Sequence, residues 1–191
     1  MGRITDAAVT CSWLPPMGGT TWGAVWSPDQ KALYASVSEK EQLIFKIWKM
    51  NVDGSNPEKL VDNCAYVYDA DPGGQYLLGV EPYGEKIGIY EVSIPDRKCT
   101  LLLPGITTYT AFFARDGKSF LYAVASRDEV TIFRQPWREG TLIGATQVAL
   151  RVPFAFTLDY AGNAYDFSRD LSTIIYVRLG GHADLYLLSQ K

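Results

Sequence analysis

Residues 23–37 read GAVWSPDQKALYASV, and this stretch decides the fold. Alternating apolar residues run into Ser27-Pro28-Asp29-Gln30, and a second apolar run leaves it. Proline presets φ at the second position of a tight turn, and Ser and Asp are favoured around it. The stretch therefore predicts strand, turn, strand. It also recurs. Asp71-Pro72-Gly73-Gly74, Ala114-Arg115-Asp116-Gly117 and Ser168-Arg169-Asp170 occupy equivalent places, followed by YLLGV from Tyr76, SFLYAVA from Ser119 and TIIYVR from Thr173. Ser27, Asp71, Ala114 and Ser168 lie 44, 43 and 54 residues apart. A second marker, an aliphatic–aromatic pair in the next strand, agrees. Ile47-Trp48, Ile89-Tyr90, Ile132-Phe133 and Leu185-Tyr186 are spaced by 42, 43 and 53 residues.

Two independent markers with one period and one late insertion define four units, the insertion falling within residues 142–163. Three units offer a fourth strand, at 58–61, 99–103 and 147–152. No segment carries a sustained 3.6-residue apolar stripe with helix caps. A period near 44 with four strands per unit is the signature of a β-propeller blade. The expectation is an all-β, single-domain chain over 1–191 with four blades of four-stranded antiparallel sheet, at about 21–63, 64–105, 106–157 and 158–191. The last unit ends at its third strand, 185–188, and residues 3–12 are expected to supply its fourth strand and close the ring. An open outer edge would otherwise invite pairing with other chains. The rival readings are a fragment of a larger ring and a ring completed by a second copy.

The SPD(G) turn with its aliphatic–aromatic third strand resembles the TolB-type, WD-like β-propeller repeats of bacteria, over residues 21–191. WSPDQKALYASV matches best; DPGG, ARDG and SRDL depart from the pattern. The ending, FSRDLSTIIYVRLGGHADLYLLS, resembles the terminal blade of sensor propellers attached to bacterial kinases and transcriptional regulators. The resemblance implies ligand or partner binding without chemistry of its own.

Composition narrows the function classes. A net charge of −3, a pI near 5.2 and no cluster of Lys and Arg argue against nucleic acid. No apolar run is long enough for a membrane-spanning helix. The N-terminal MGRITDAAVT lacks the pattern of a secretion signal, so the cytoplasm is expected. Cys11, Cys64 and Cys99 form an odd, widely spaced set without CxxC, read here as buried free thiols rather than a disulfide framework or zinc site. His182 is the sole histidine, which excludes a multi-histidine metal site, and RLGGHADL places it at a hairpin tip. No GxSxG, Walker A or GxGxxG motif occurs. No cofactor or metal is expected, and the chain is expected to be a monomer or a homodimer.

Aligning the strands before the four turns gives columns. Ala24, Tyr68, Ala111 and Tyr165 share one; Val25, Asp69, Phe112 and Asp166 share the next. Units two and four thus carry Tyr-Asp pairs. In a propeller this strand lines the central channel, so Tyr68, Asp69, Tyr165 and Asp166 would face each other there. Such a pocket suits a cation or a small polyhydroxy or amine ligand. Close carboxylates could also do acid/base work as a hydrolase or lyase. Alternatively each Asp accepts turn amides just after it, and each Tyr packs between blades. Trp13, Trp22, Tyr66 and Tyr109 lie at the connections into innermost strands, a face where partners dock, although aromatics also fill the gaps between blades. Trp26, Phe113 and Phe167 share a column with Ala70 and read as inter-blade core. The sequence favours a non-catalytic binding or sensor module over an enzyme or a ligand-free scaffold.

Overall fold

A computed structural model describes residues 19–38, 44–81, 85–108, 110–126, 129–153, 165–180 and 182–189. Every regular element in them is a β-strand. Strands β1 (Thr20–Trp26), β2 (Ala32–Ser38), β3 (Phe45–Asn51) and β4 (Glu58–Cys64) form one antiparallel sheet in chain order. The second sheet is β5 (Tyr66–Ala70), β6 (Tyr76–Glu81), β7 (Gly88–Ser93) and β8 (Lys98–Pro104), again in order. The third holds β9 (Ala111–Phe113), β10 (Ser119–Ala125) and the ten-residue β11 (Glu129–Arg138). Two strands share the far edge of β11: β12 (Thr141–Leu142) and β13 (Gln147–Pro153). The fourth sheet is β14 (Tyr165–Phe167), β15 (Thr173–Gly180) and β16 (His182–Ser189). The expected fourth strands are thus β4, β8 and β13. Part of the insertion, Cys11, Trp13, Tyr109 and the closing segment 3–12 lie outside the described residues.

The turn alignment holds residue by residue. Ser27, Asp71, Ala114 and Ser168 each donate a backbone N–H to the carbonyl five residues on, and each accepts from the amide three residues on. That third residue has positive φ in every turn: Gln30 at 59°, Gly74 at 68°, Gly117 at 62° and Leu171 at 59°. The first turn residue then caps the returning strand. Ser27 Oγ accepts from Ala32 N–H, Asp71 Oδ1 from Tyr76 N–H and Ser168 Oγ from Thr173 N–H. Ala114 has no such group, and its turn keeps the bond from Lys118 N–H to Asp116, which Lys31 N–H makes to Asp29 and Ser172 N–H to Asp170 as well.

Three apolar cores fill the gaps between successive sheets. Tyr34, Ile47, Val61 and Val67 pack between sheets one and two. Leu78, Ile89, Phe113, Phe120 and Trp137 pack between two and three, and Leu121, Ile132, Phe167 and Leu171 between three and four. The columns explain this. Residues just before each turn point to the preceding sheet: Ala70, Phe113 and Phe167 enter the first, second and third cores. Residues one place earlier point to the following sheet, as Val25 and Phe112 do. Trp26 corrects the sequence reading. It is 58% exposed rather than inter-blade core, because among the described residues no sheet precedes its own on that side.

Cysteine also departs from expectation. Cys64 at the end of β4 and Cys99 in β8 form a disulfide, with Sγ atoms 2.03 Å and Cα atoms 5.9 Å apart. The outermost strands of sheets one and two come together there, which neither the missing CxxC nor the 35-residue separation reveals. The Arg97–Glu58 ion pair ties the same two sheets at their rim. Between sheets two and three, the Trp137 indole donates to buried Glu91 at 2.6 Å. Burial pushes the Glu91 carboxyl up and this hydrogen bond pulls it part of the way back.

Candidate functional site

The four turns gather on one side, and their second residues are Pro28, Pro72, Arg115 and Arg169. Glycines let the turns nest: Gly74 sits against the Pro28 ring and Gly117 against Pro72. All four of these residues join Trp26, Gln30 and Asp69 around a cavity of about 640 Å³. A second pocket of about 420 Å³ shares Trp26, Asp69 and Arg169 with it and is lined further by Val25, Tyr68, Phe112 and Phe167. Residues of all four sheets therefore line one axial space.

Asp69 is its hub. Its side chain is 8% exposed. Oδ2 accepts from the Phe113 N–H of β9 at 2.9 Å, and Oδ1 accepts from Arg169 Nη2 of the fourth turn at 2.5 Å. One carboxylate thus joins sheets two, three and four. Burial pushes its pKa up to about 6, opposed by the Arg169 charge and then by the Phe113 and Ala70 amides. The expected local role, accepting the amides of its own turn, falls to Asp71, which takes the N–H groups of Gly73, Gln75 and Tyr76.

Of the other anticipated residues, Tyr68 is half-buried and lines the second pocket. It lies at a bulge in β5, where the register shifts between Val67 and Asp69. Tyr165 and Asp166 lie on β14, paired with Tyr176 and Ile175. Their side chains are outside the described residues. Trp22 and Tyr66 do meet. Tyr66 Oη donates to the Trp22 carbonyl at 2.6 Å, crossing over Gly23, where a side chain would strike the ring. Trp22 and Tyr66 each set an edge against Phe45, and Tyr66 continues to Tyr68 at 4.9 Å. Trp22 stays 47% exposed. His182 pairs with Gly180 at the closed end of the β15–β16 hairpin.

Sequence reasoning missed Arg115 and Arg169. The same column comparison that isolated the Tyr-Asp pairs would have found them, one step past the start of each turn. Among the described residues no group of three or more His, Cys, Asp or Glu side chains is placed to hold a metal, and no helix is long and apolar enough to cross a membrane.

No protein-family model and no curated protein matches the chain. Solved structures do. TolB from Acinetobacter baumannii aligns with a TM-score of 0.62 at 16% identity, over 90% of this chain and 41% of that one. An oligogalacturonate lyase solved in complex with manganese aligns at 0.57 and 14% identity, over 90% of this chain and 49% of the other. The β-propeller domain of the Trilobed protease from Pyrococcus furiosus, which has an open velcro topology, aligns at 0.56 and 8% identity, over 90% and 55%. At such identities the likeness shows the fold: all-β, antiparallel, of the TolB-like β-propeller kind. The chain spans about two fifths to just over half the length of these three structures.

Proposed function

We propose that this chain is a non-catalytic binding module whose ligand enters the axial cavity on the turn side. The observation that carries the reading is the convergence of all four sheets on one space built around Asp69. Both Asp69 oxygens are already engaged, by Phe113 and Arg169, which suits a scaffold for binding better than a general base. Tyr68 and Asp69 contribute to the wall, Tyr165 and Asp166 sit at the matching positions of β14, and Trp22 and Tyr66 mark a second, partner-facing side. The solved neighbours fit either class, since TolB stands beside a lyase and acylaminoacyl peptidases. The proposed ring has four blades, with residues 3–12 pairing along β16. A larger ring, of which this chain is one part, is the second reading. It is favoured by the exposed flank of β1 and by the share of the neighbours the chain spans. The disulfide argues for an oxidising compartment in preference to the expected cytoplasm.

A thermal-shift screen of the intact chain against small charged and polar molecules tests the binding reading. Ligands that bind only the native state raise the melting temperature in proportion to their saturation. The expected result is a set of hits whose shifts shrink in Asp69→Asn and Tyr68→Phe. Turnover of a hydrolase or lyase substrate that vanishes in Asp69→Asn would replace the binding reading with an enzymatic one.

A further inference from the structure

We propose that the turn-side mouth of the cavity is an anion site, taking a small carboxylate or phosphate attached to a flat ring that lies against Trp26. The proposal rests on the binding reading above and names its ligand class. The expected cation or amine ligand does not suit the observed mouth. Asp69 is neutralised where it stands, by Arg169 and the Phe113 amide. What faces the opening instead is basic. Arg169 spends one guanidinium nitrogen on Asp69 and keeps its side chain 41% exposed. A guanidinium has five N–H donors, so most of its capacity remains for a ligand. Arg115 lines the same mouth, is exposed, and makes no hydrogen bond or ion pair among the described residues. Its charge also acts on Asp170, whose Oδ1 is taken up by Ser168 and Ser172. Two guanidinium groups around one opening match the forked oxygens of a carboxylate or phosphate.

Trp26, which lines the same cavity, supplies the second half of the recognition. Trp26 has no aromatic partner among the described residues, and its ring is mostly open to solvent. Pro28 and Pro72 form a stiff apolar rim beside it, and Gln30 offers an amide. An exposed indole lining the same cavity as two guanidinium groups suits a ring that carries a negative group: the ring loses apolar surface to water while the anion meets the guanidinium groups.

The test is calorimetric titration of the intact chain with benzoate and phenyl phosphate, with benzyl alcohol and benzylamine as neutral and cationic counterparts. The anions are expected to bind and the counterparts to bind at least ten-fold more weakly. Arg115→Gln, on an exposed turn, should fold normally and weaken anion binding by roughly ten-fold or more, the size of one charge-assisted hydrogen bond. The anions should also change the tryptophan fluorescence, and that change should be lost in Trp26→Phe. The tighter of benzoate and phenyl phosphate identifies the anion. Benzylamine or benzyl alcohol binding as well as the anions overturns the anion assignment and leaves the binding module standing. Anion affinity unchanged in Arg115→Gln overturns it as well. If none of the four probes binds at millimolar concentration, the anion assignment falls, and the broader screen decides separately whether the cavity binds anything.

Discussion

Asp69 shows how much one residue does here. It sits on β5, yet its oxygens hold β9 and the fourth turn. Asp69→Ala would leave the Phe113 N–H buried without an acceptor and Arg169 without its carboxylate. The loss should be about 1–3 kcal/mol, the cost of an unsatisfied buried group, read from urea unfolding. The half-exposed Arg169 keeps the figure at the modest end. The pH dependence has a definite sign. The folded pKa, about 6, stands above the ordinary value of 3.8, so between these values the native state holds more protons than the unfolded one. Asp69 then adds stability as pH falls from about 6 towards 3.8 and withdraws it as pH rises. The charged group in contact with it is Arg169, and Arg115 lines the same cavity. Asp69→Asn cannot titrate, so the wild type should gain stability relative to it on going from pH 7 to pH 4.5. Melting temperatures of both proteins across that range check this, and parallel curves would refute it. The column alignment singled out Asp69, which lines the cavity. It could not supply the partners, because Arg169 is 100 positions away and belongs to a turn two sheets on.

Among the elements, the four turns were the most legible and the outer strands the least. The turns carry local chemistry: proline, glycine and aspartate fix φ within four residues, so the sequence alone sets them in register. The turns nevertheless differ in strain. Gln30 and Leu171 adopt the left-handed conformation that Gly74 and Gly117 adopt at no steric cost. Leu171 is buried in the third core and must stay. Gln30 is exposed, so Gln30→Gly should stabilise the chain by about 0.5–1 kcal/mol, the relief of a left-handed residue less the entropy of glycine. A lower melting temperature for Gln30→Gly would show that the turn is not strained. The outer strands were hard to read because their identity depends on which sheet edge they meet. β12 and β13 divide one edge of β11 between them, and Cys64 and Cys99 become neighbours only when two such edges converge. That crosslink closes a 35-residue separation. In the chain-entropy account, a loop of that length contributes about 3–4 kcal/mol by restricting the unfolded state. Cys64→Ser with Cys99→Ser, or reduction of the wild type, should lower stability by that order while the strand signal in circular dichroism persists. Equal unfolding curves with and without reductant would mean that the bond does not form in solution.

At the scale of the whole molecule, the outer flanks of sheets one and four matter most. Sheets two and three have packed neighbours on both sides, whereas sheet one is covered by sheet two and sheet four by sheet three. The repeat period was enough to count the sheets, since each is one local meander. How the outer flanks are covered is harder to read, because it depends on non-local contacts that no local pattern encodes. Trp26 marks the seam. Its column faces a preceding sheet, and its exposure shows that flank of β1 to be open among the described residues. In the proposed four-blade ring, residues 3–12 pair with the open edge of β16, so the chain's first segment holds its last sheet. Burying Ile4 and Val9 there would contribute about 1.5–3 kcal/mol each when complete. Several ladder hydrogen bonds of about 1 kcal/mol each would add to this. Together these approach the 5–15 kcal/mol that holds a typical domain folded. A chain lacking residues 1–12 should therefore melt at lower temperature and associate through its uncovered edge, while the intact chain runs as a monomer. Size-exclusion chromatography with light scattering, together with thermal melts of both, reads the outcome directly. An intact chain that is itself a dimer points to a ring shared between two copies. A shortened chain that stays monomeric with an unchanged melting point removes the four-blade closure. The open flank of β1 would then be the surface on which the remaining sheets of a larger ring are laid.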